Sequence, residues 1–132
     1  MADNVALVEG LYKGLASGDP SPLMKAMDPK ISWNLAENMP LSPGRELVGP
    51  EEVGGAFLGG LQETFGTTFQ IVPERIIGSG DTVLMQGRYK GVIQATGKEL
   101  DVQCAHVWDI RDGKLVRFQQ YTDTYEYHQT TD

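Results

Sequence analysis

Apolar positions recur along this chain with two periods, and the change of period divides it. From Asp3 to Gly18 the period is helical: Val8, Leu11, Tyr12 and Leu15 stand at i, i+3, i+4 and i+7 on one stripe. Asp3 or Asn4 can cap the start, and Gly18 suits the end. "DPSPLMKAM" restarts a short helix, capped by Asp19 or Ser21 with a proline just inside, and turns Leu23, Met24 and Met27 toward a core. "KISWNLAE" reads as a first strand. "NMPLSPGRELVG" is a loop long enough to be functional. Pro50 opens a third helix, where Glu51 and Glu52 favour the positive end of the dipole. Val53, Phe57, Leu61 and Phe65 recur every four residues along it. Its Gly54-Gly55 and Gly59-Gly60 pairs weaken helicity, and close packing against a sheet is the expected reason. The GGAFLGG run lies inside this helix rather than at its entry, so it is not a phosphate loop.

After Gly66 the period drops to two. "TTFQIVPERII" is a strand whose Pro73 marks an edge or a bulge. "TVLMQGRYKGVI", "ELDVQCAHVWDI" and "KLVRFQQYTD" follow, separated by turn residues, and Asp112-Gly113 is a strong two-residue hairpin signal. The polar tail "TYEYHQTTD" is expected to fray. Helices first and an antiparallel meander after them give an α+β fold rather than a parallel sheet. With 132 residues, one domain over 1–132, with a core of about 5–124, accounts for the whole pattern.

Charge and cysteine count narrow the function classes. A formal net charge of −7 repels a phosphate backbone and an anionic bilayer, so neither nucleic acid nor membrane is an expected partner. The N-terminal "MADNVALVEG" lacks a basic n-region, and no apolar run approaches spanning length. Cys104 is the only cysteine, which rules out an intrachain disulfide and favours a reducing cytoplasm. With only His106 and His128 beside it, no metal site and no metal or redox cofactor is expected.

The stretch "AHVWDIRDGKLVRFQQYTDT", a first helix ending in "SGD", and "LVGPEEV" together resemble the nuclear transport factor 2-like (NTF2-like) superfamily. The likeness is to its ketosteroid isomerase and SnoaL-like polyketide cyclase branches. It implies a cone-shaped, cystatin-like α+β barrel, in which a curved mixed or antiparallel sheet wraps three N-terminal helices around a deep apolar pocket. It also implies a homodimer joined through the outer sheet face, and a small hydrophobic or polycyclic ligand. The scaffold is not specific for one reaction.

Strand alternation puts Leu100, Val102, Cys104, His106, Trp108 and Ile110 on one side, which is far more apolar than the other. His106 therefore faces inward. Family register turns Phe118 and Gln120 inward on the last strand and Asp123 outward. Several enzymes of the superfamily carry an aspartate base where this chain has Gln120, and ketosteroid isomerase carries its base near Asn34. Amides cannot take that role and can only hydrogen-bond. The isomerase's protonated aspartate falls near His106, and its helix-one tyrosine near Tyr12. The Arg and Asp of the related epoxide hydrolases would fall near Gly87 and Tyr89, so that triad is missing. Arg45, in the long loop, is read as an exposed ion pair.

His106 remains as the titrating candidate, since imidazole both accepts and donates near neutral pH. Asn34 and Gln120 are the candidates for polarising a substrate. Tyr12, Trp33, Tyr89, Cys104, Trp108 and Phe118 are the candidate ligand walls, with Tyr89 at the mouth. Cys104 sits one same-face step from His106, about 6–7 Å along the strand, which suits an inert core thiol better than a nucleophile. Two readings stay open. One is an isomerase, cyclase, dehydratase or hydrolase that uses His106 as general acid–base. The other is a non-catalytic ligand-binding or interaction domain that has lost its carboxylate.

Overall fold

The computed structural model describes residues 3–131; the Phe57 side chain, second of the four recurring apolar positions of the third helix, lies outside the described set. The elements run α1 (Asn4–Ala16), α2 (Ser21–Ala26), β1 (Met27–Asn34), β2 (Leu47–Val48) and α3 (Pro50–Glu52). A π-helical stretch (Val53–Leu58) and α4 (Gly59–Phe65) continue α3 without a break. β3 (Gln70–Ser79), β4 (Thr82–Val92), β5 (Glu99–Arg111), β6 (Lys114–Thr122) and α5 (Thr124–Thr131) complete the chain.

The six strands form one curved sheet in the order β2-β1-β6-β5-β4-β3. β3 to β6 form an antiparallel meander, while β1 joins β6 in parallel with Trp33 opposite Phe118. The sheet is thus mixed. Strand polarity sets the core: Leu100, Val102, Cys104, His106, Trp108 and Ile110 of β5 are all buried, as are Val83, Met85 and Tyr89 of β4. Helix α1 presses Val8, Leu11 and Tyr12 onto this concave face, with the Asp3 carboxylate accepting the Ala6 N–H at its first turn.

Local chemistry explains the corners. Asp112 and Gly113 both take positive φ, 51° and 76°, the pairing a tight β5–β6 turn needs. Pro73 lies on edge strand β3, where the register slips between Pro73 and Arg75.

Four expectations need correction. The loop after β1 contains a short strand, β2, too brief for a periodic signal. Met27 begins β1 rather than ending α2, and no side chain caps α2; the Asp19 carboxylate instead accepts the Ser21 N–H. The tail does not fray. It forms α5, which buries Tyr127 against Phe65 and is tied down where the Thr96 hydroxyl donates to the Thr130 carbonyl. Close packing does not explain the glycine pairs either. A Cβ at Gly55 or Gly60 would meet nothing within 4 Å, and one at Gly54 would meet only the Met24 methyl at 3.4 Å.

Candidate active site

Between α1, the helical run 50–65 and the concave sheet lies a cavity of about 410 Å³, within the range of small-molecule sites. Leu15, Leu23, Leu58, Leu61, Phe69 and Ile71 supply its aliphatic and aromatic walls. Trp33, Trp108 and Phe118 form an aromatic floor. Trp33 stacks on Phe118 with centroids 3.9 Å apart, and Trp108 tilts against the same ring at 4.6 Å. Among the described residues, no carboxylate, lysine or arginine lines the cavity.

Four of its lining side chains, Trp108, Tyr12, His106 and Tyr89, form one hydrogen-bonded chain. The Trp108 indole N–H donates to the Tyr12 hydroxyl oxygen at 2.9 Å. That hydroxyl meets His106 Nδ1 at 2.6 Å. On the far side of the ring, His106 Nε2 is hydrogen-bonded to the Tyr89 hydroxyl. The Gln120 amide N–H donates to the Tyr89 oxygen at 2.9 Å, while its carbonyl accepts the Ala36 N–H at 3.0 Å. Because the Ala36 N–H can only donate, it fixes which end of the Gln120 amide faces Tyr89.

Burial sets the charge state of this chain. It depresses His106 from 6.5 to about 3, so the imidazole is neutral at physiological pH. The same desolvation holds the Tyr12 and Tyr89 phenols well above the ordinary tyrosine value. Burial also pushes the Cys104 thiol up to about 12. The site therefore offers neutral hydrogen-bond donors and acceptors and no charged group.

Six of the nine residues singled out from the sequence line the cavity: Tyr12, Trp33, Tyr89, His106, Trp108 and Phe118. The other three do not. Gln120 stands behind Tyr89 and acts on it rather than on the cavity. Asn34 is turned away, its amide donating to Ser32 Oγ and to the Phe118 carbonyl. Cys104 is buried on the His106 face of β5 and does not line the cavity. Tyr89 is almost wholly buried beside His106 and not at the mouth. Asp123 is exposed, and its carboxylate accepts the Glu126 N–H as the start of α5. Arg45 pairs with Glu52 at 3.0 Å on the surface. Leu58 and Leu61, missed as lining residues, carried a signal: both are large apolar side chains three apart in a helix otherwise rich in glycine.

Comparison with known proteins agrees with this architecture. Residues 8–118 match the SnoaL-like domain family. No curated protein matches the chain. An NTF2-like protein from Burkholderia thailandensis E264 is 28% identical with a TM-score of 0.92, over 100% of this chain and 99% of that one. A second NTF2-like protein, from Burkholderia pseudomallei K96243 and of unknown function, is 24% identical with a TM-score of 0.87, over 98% of each chain. TerC, co-crystallised with polyporic acid, is 24% identical with a TM-score of 0.84, over 96% of each chain.

Proposed function

The chain belongs to the SnoaL-like domain family and has the NTF2-like fold, and from that premise we propose that it binds a small, largely apolar, ring-bearing molecule and polarises a carbonyl or hydroxyl on it through neutral donors. One observation carries this reading: an apolar, aromatic-floored cavity into whose wall is set a connected chain of neutral polar groups, Trp108, Tyr12, His106 and Tyr89, with Gln120 behind Tyr89. A phenol donor in a water-poor cavity stabilises charge developing on a substrate oxygen far better than the same donor in water. The reactions that fit are enolisation-driven isomerisation, ring closure or dehydration at an activated carbonyl in which solvent water takes up the substrate proton, because no side chain of the described lining is placed as a base. In them His106 works as a neutral link between the two phenols. It is not a base that becomes imidazolium, because burial opposes that charge. TerC, a protein of similar fold, was crystallised with polyporic acid, which supports the ligand side of the reading.

A second reading, binding without turnover, is favoured by the lack of any carboxylate in the cavity lining among the described residues and by the amide at Gln120. The two separate in one experiment. Both tryptophans of the chain, Trp33 and Trp108, line the cavity, so a bound aryl ketone should quench intrinsic fluorescence. Saturable quenching by 2-acetylnaphthalene is expected, weakened about tenfold in Tyr12→Phe, as the loss of about 1.4 kcal/mol from one hydrogen bond implies. Absence of saturable quenching across a panel of aryl ketones and hydroxyquinones would refute the ligand-binding reading. Exchange of α-protons into deuterated solvent, faster with wild type than with Tyr12→Phe, would establish turnover.

The same reading includes a homodimer formed through the outer sheet face. Ile77, Tyr121 and Val48, three of the exposed large hydrophobics, stand on β3, β6 and β2 on that face. Tyr121→Asp should shift the protein to a monomer in analytical ultracentrifugation; an unchanged sedimentation coefficient would exclude this surface.

A further inference from the structure

The floor of the cavity is nearly closed to solvent. Trp33, Trp108 and Phe118 are 3%, 1% and 2% exposed, and Tyr12 and His106 are 5% and 3% exposed. A ligand ring laid against this floor needs one wall to give way. The sheet wall is held by continuous ladders from β3 to β6. The wall of α1 and α2 is held by Val8, Leu11, Tyr12 and Leu23, all buried. The third wall differs. Val53 and Phe65 are both fully buried, yet no described side chain between them is. Leu58 and Leu61, from this stretch, line the cavity. The third wall is thus anchored at its two ends and loosely packed between them.

Four of its residues are Gly54, Gly55, Gly59 and Gly60, and nothing around them calls for glycine. None of the four takes a positive φ, and Gly59 is ordinary helix at φ −62° and ψ −40°. A Cβ at Gly55 or Gly60 meets nothing within 4 Å; one at Gly59 would meet only the Gly54 carbonyl oxygen, at 3.8 Å. What glycine does change here is stiffness, because it weakens a helix interior relative to alanine. The backbone between the two pairs is π-helical, with the Gly59 N–H donating to the Gly54 carbonyl five residues back. Such stretches are uncommon and recur at functional sites.

We infer that residues 54–61 are the gate of the cavity. Bending at the two glycine pairs, with Val53 and Phe65 as fixed ends, swings Leu58 and Leu61 off the floor and admits the ligand. The gate closes over the bound ring and excludes water from the phenols. This rests on the ligand-binding reading above and adds the route by which the ligand enters.

The test stiffens the gate without filling the cavity. Gly55→Ala/Gly60→Ala adds two methyl groups that touch nothing. Gly10→Ala is the control: it adds an equally untouched methyl to α1, away from the cavity lining. In hydrogen exchange of the whole chain, amides of residues 54–61 should exchange faster than those of residues 8–15. The alanine pair should slow them about fivefold to thirtyfold beyond the change in intrinsic rate, the factor that two helix-propensity differences imply. In stopped-flow tryptophan quenching by 2-acetylnaphthalene, the same pair should lower the association and dissociation rate constants by a like factor and leave Kd unchanged. Gly10→Ala should change neither rate. Exchange across 54–61 as slow as in α1, or quenching rates that the alanine pair leaves unaltered, overturns the gate while ligand binding stands. If no aryl ketone binds, the ligand-binding reading fails, and the exchange comparison alone then sustains or overturns the moving wall.

Discussion

Acidification should destabilise this protein through His106 well before its carboxylates titrate. In the unfolded chain the imidazole takes up a proton near 6.5; in the folded chain burial delays this to about 3. Between those values the unfolded state binds more protons than the folded state, so stability falls as pH falls. It is fully present above 6.5, and the loss from this group ends near 3. At about pH 5 the expected loss is roughly 2 kcal/mol relative to neutral pH, at about 1.4 kcal/mol per pH step below the ordinary value. A loss of that size is a large share of a domain's total stability. The assay is urea unfolding at pH 8 and pH 5 for wild type and His106→Gln. Carboxylates and His128 are present in both proteins, so the difference between the two pH slopes isolates His106. If the variant does not fold, the His106 ring resonances of wild type should still stay flat from pH 8 to pH 5. Equal slopes, or a ring titration with its midpoint near 6.5, would refute the reasoning.

Three further outcomes follow from packing. Gly87→Ala should cost 2 kcal/mol or more, on the order of a core overpacking penalty, because the new Cβ would lie 2.3 Å from the Val72 carbonyl oxygen on edge strand β3; chemical denaturation reads it. Gly60→Ala should stabilise by about 0.5–1 kcal/mol, since the Cβ meets nothing within 4 Å and helix propensity rises; a raised melting temperature checks it. Tyr127→Phe should leave stability unchanged or raise it, because that buried hydroxyl has no hydrogen-bond partner among the described residues; a clear loss in a calorimetric scan would contradict this.

Much of the fold was legible because β5 states its own polarity. Six alternating residues, five of them apolar, fixed which face His106 shares, and Asp112-Gly113 fixed where β6 begins. What the pattern could not carry was long-range. β2 is two residues long and exists because β1 offers it an edge. Helix α5 has a polar composition, and long-range ties order it: Tyr127 seated beside Phe65 and the Thr96 hydroxyl donating to the Thr130 carbonyl. At the site, residue type was read correctly from the strand face, yet direction was not. Asn34 and Gln120 both lie near the cavity, but their amides are held by Phe118 and by Ala36 and Tyr89. The link from Tyr12 to His106 spans 94 positions and has no local signature.

The parallel seam between β1 and β6 also governs when the molecule can come into being. Trp33 waits for Phe118, and the Tyr12 hydroxyl waits for both His106 and Trp108. During synthesis, α1, α2 and β1 emerge long before their partners leave the ribosome. Contacts of such high sequence separation make folding slow, since loop closure precedes any reward. The cavity therefore cannot close before β6 has been made, and until then the chain carries Trp33 without the ring it stacks on.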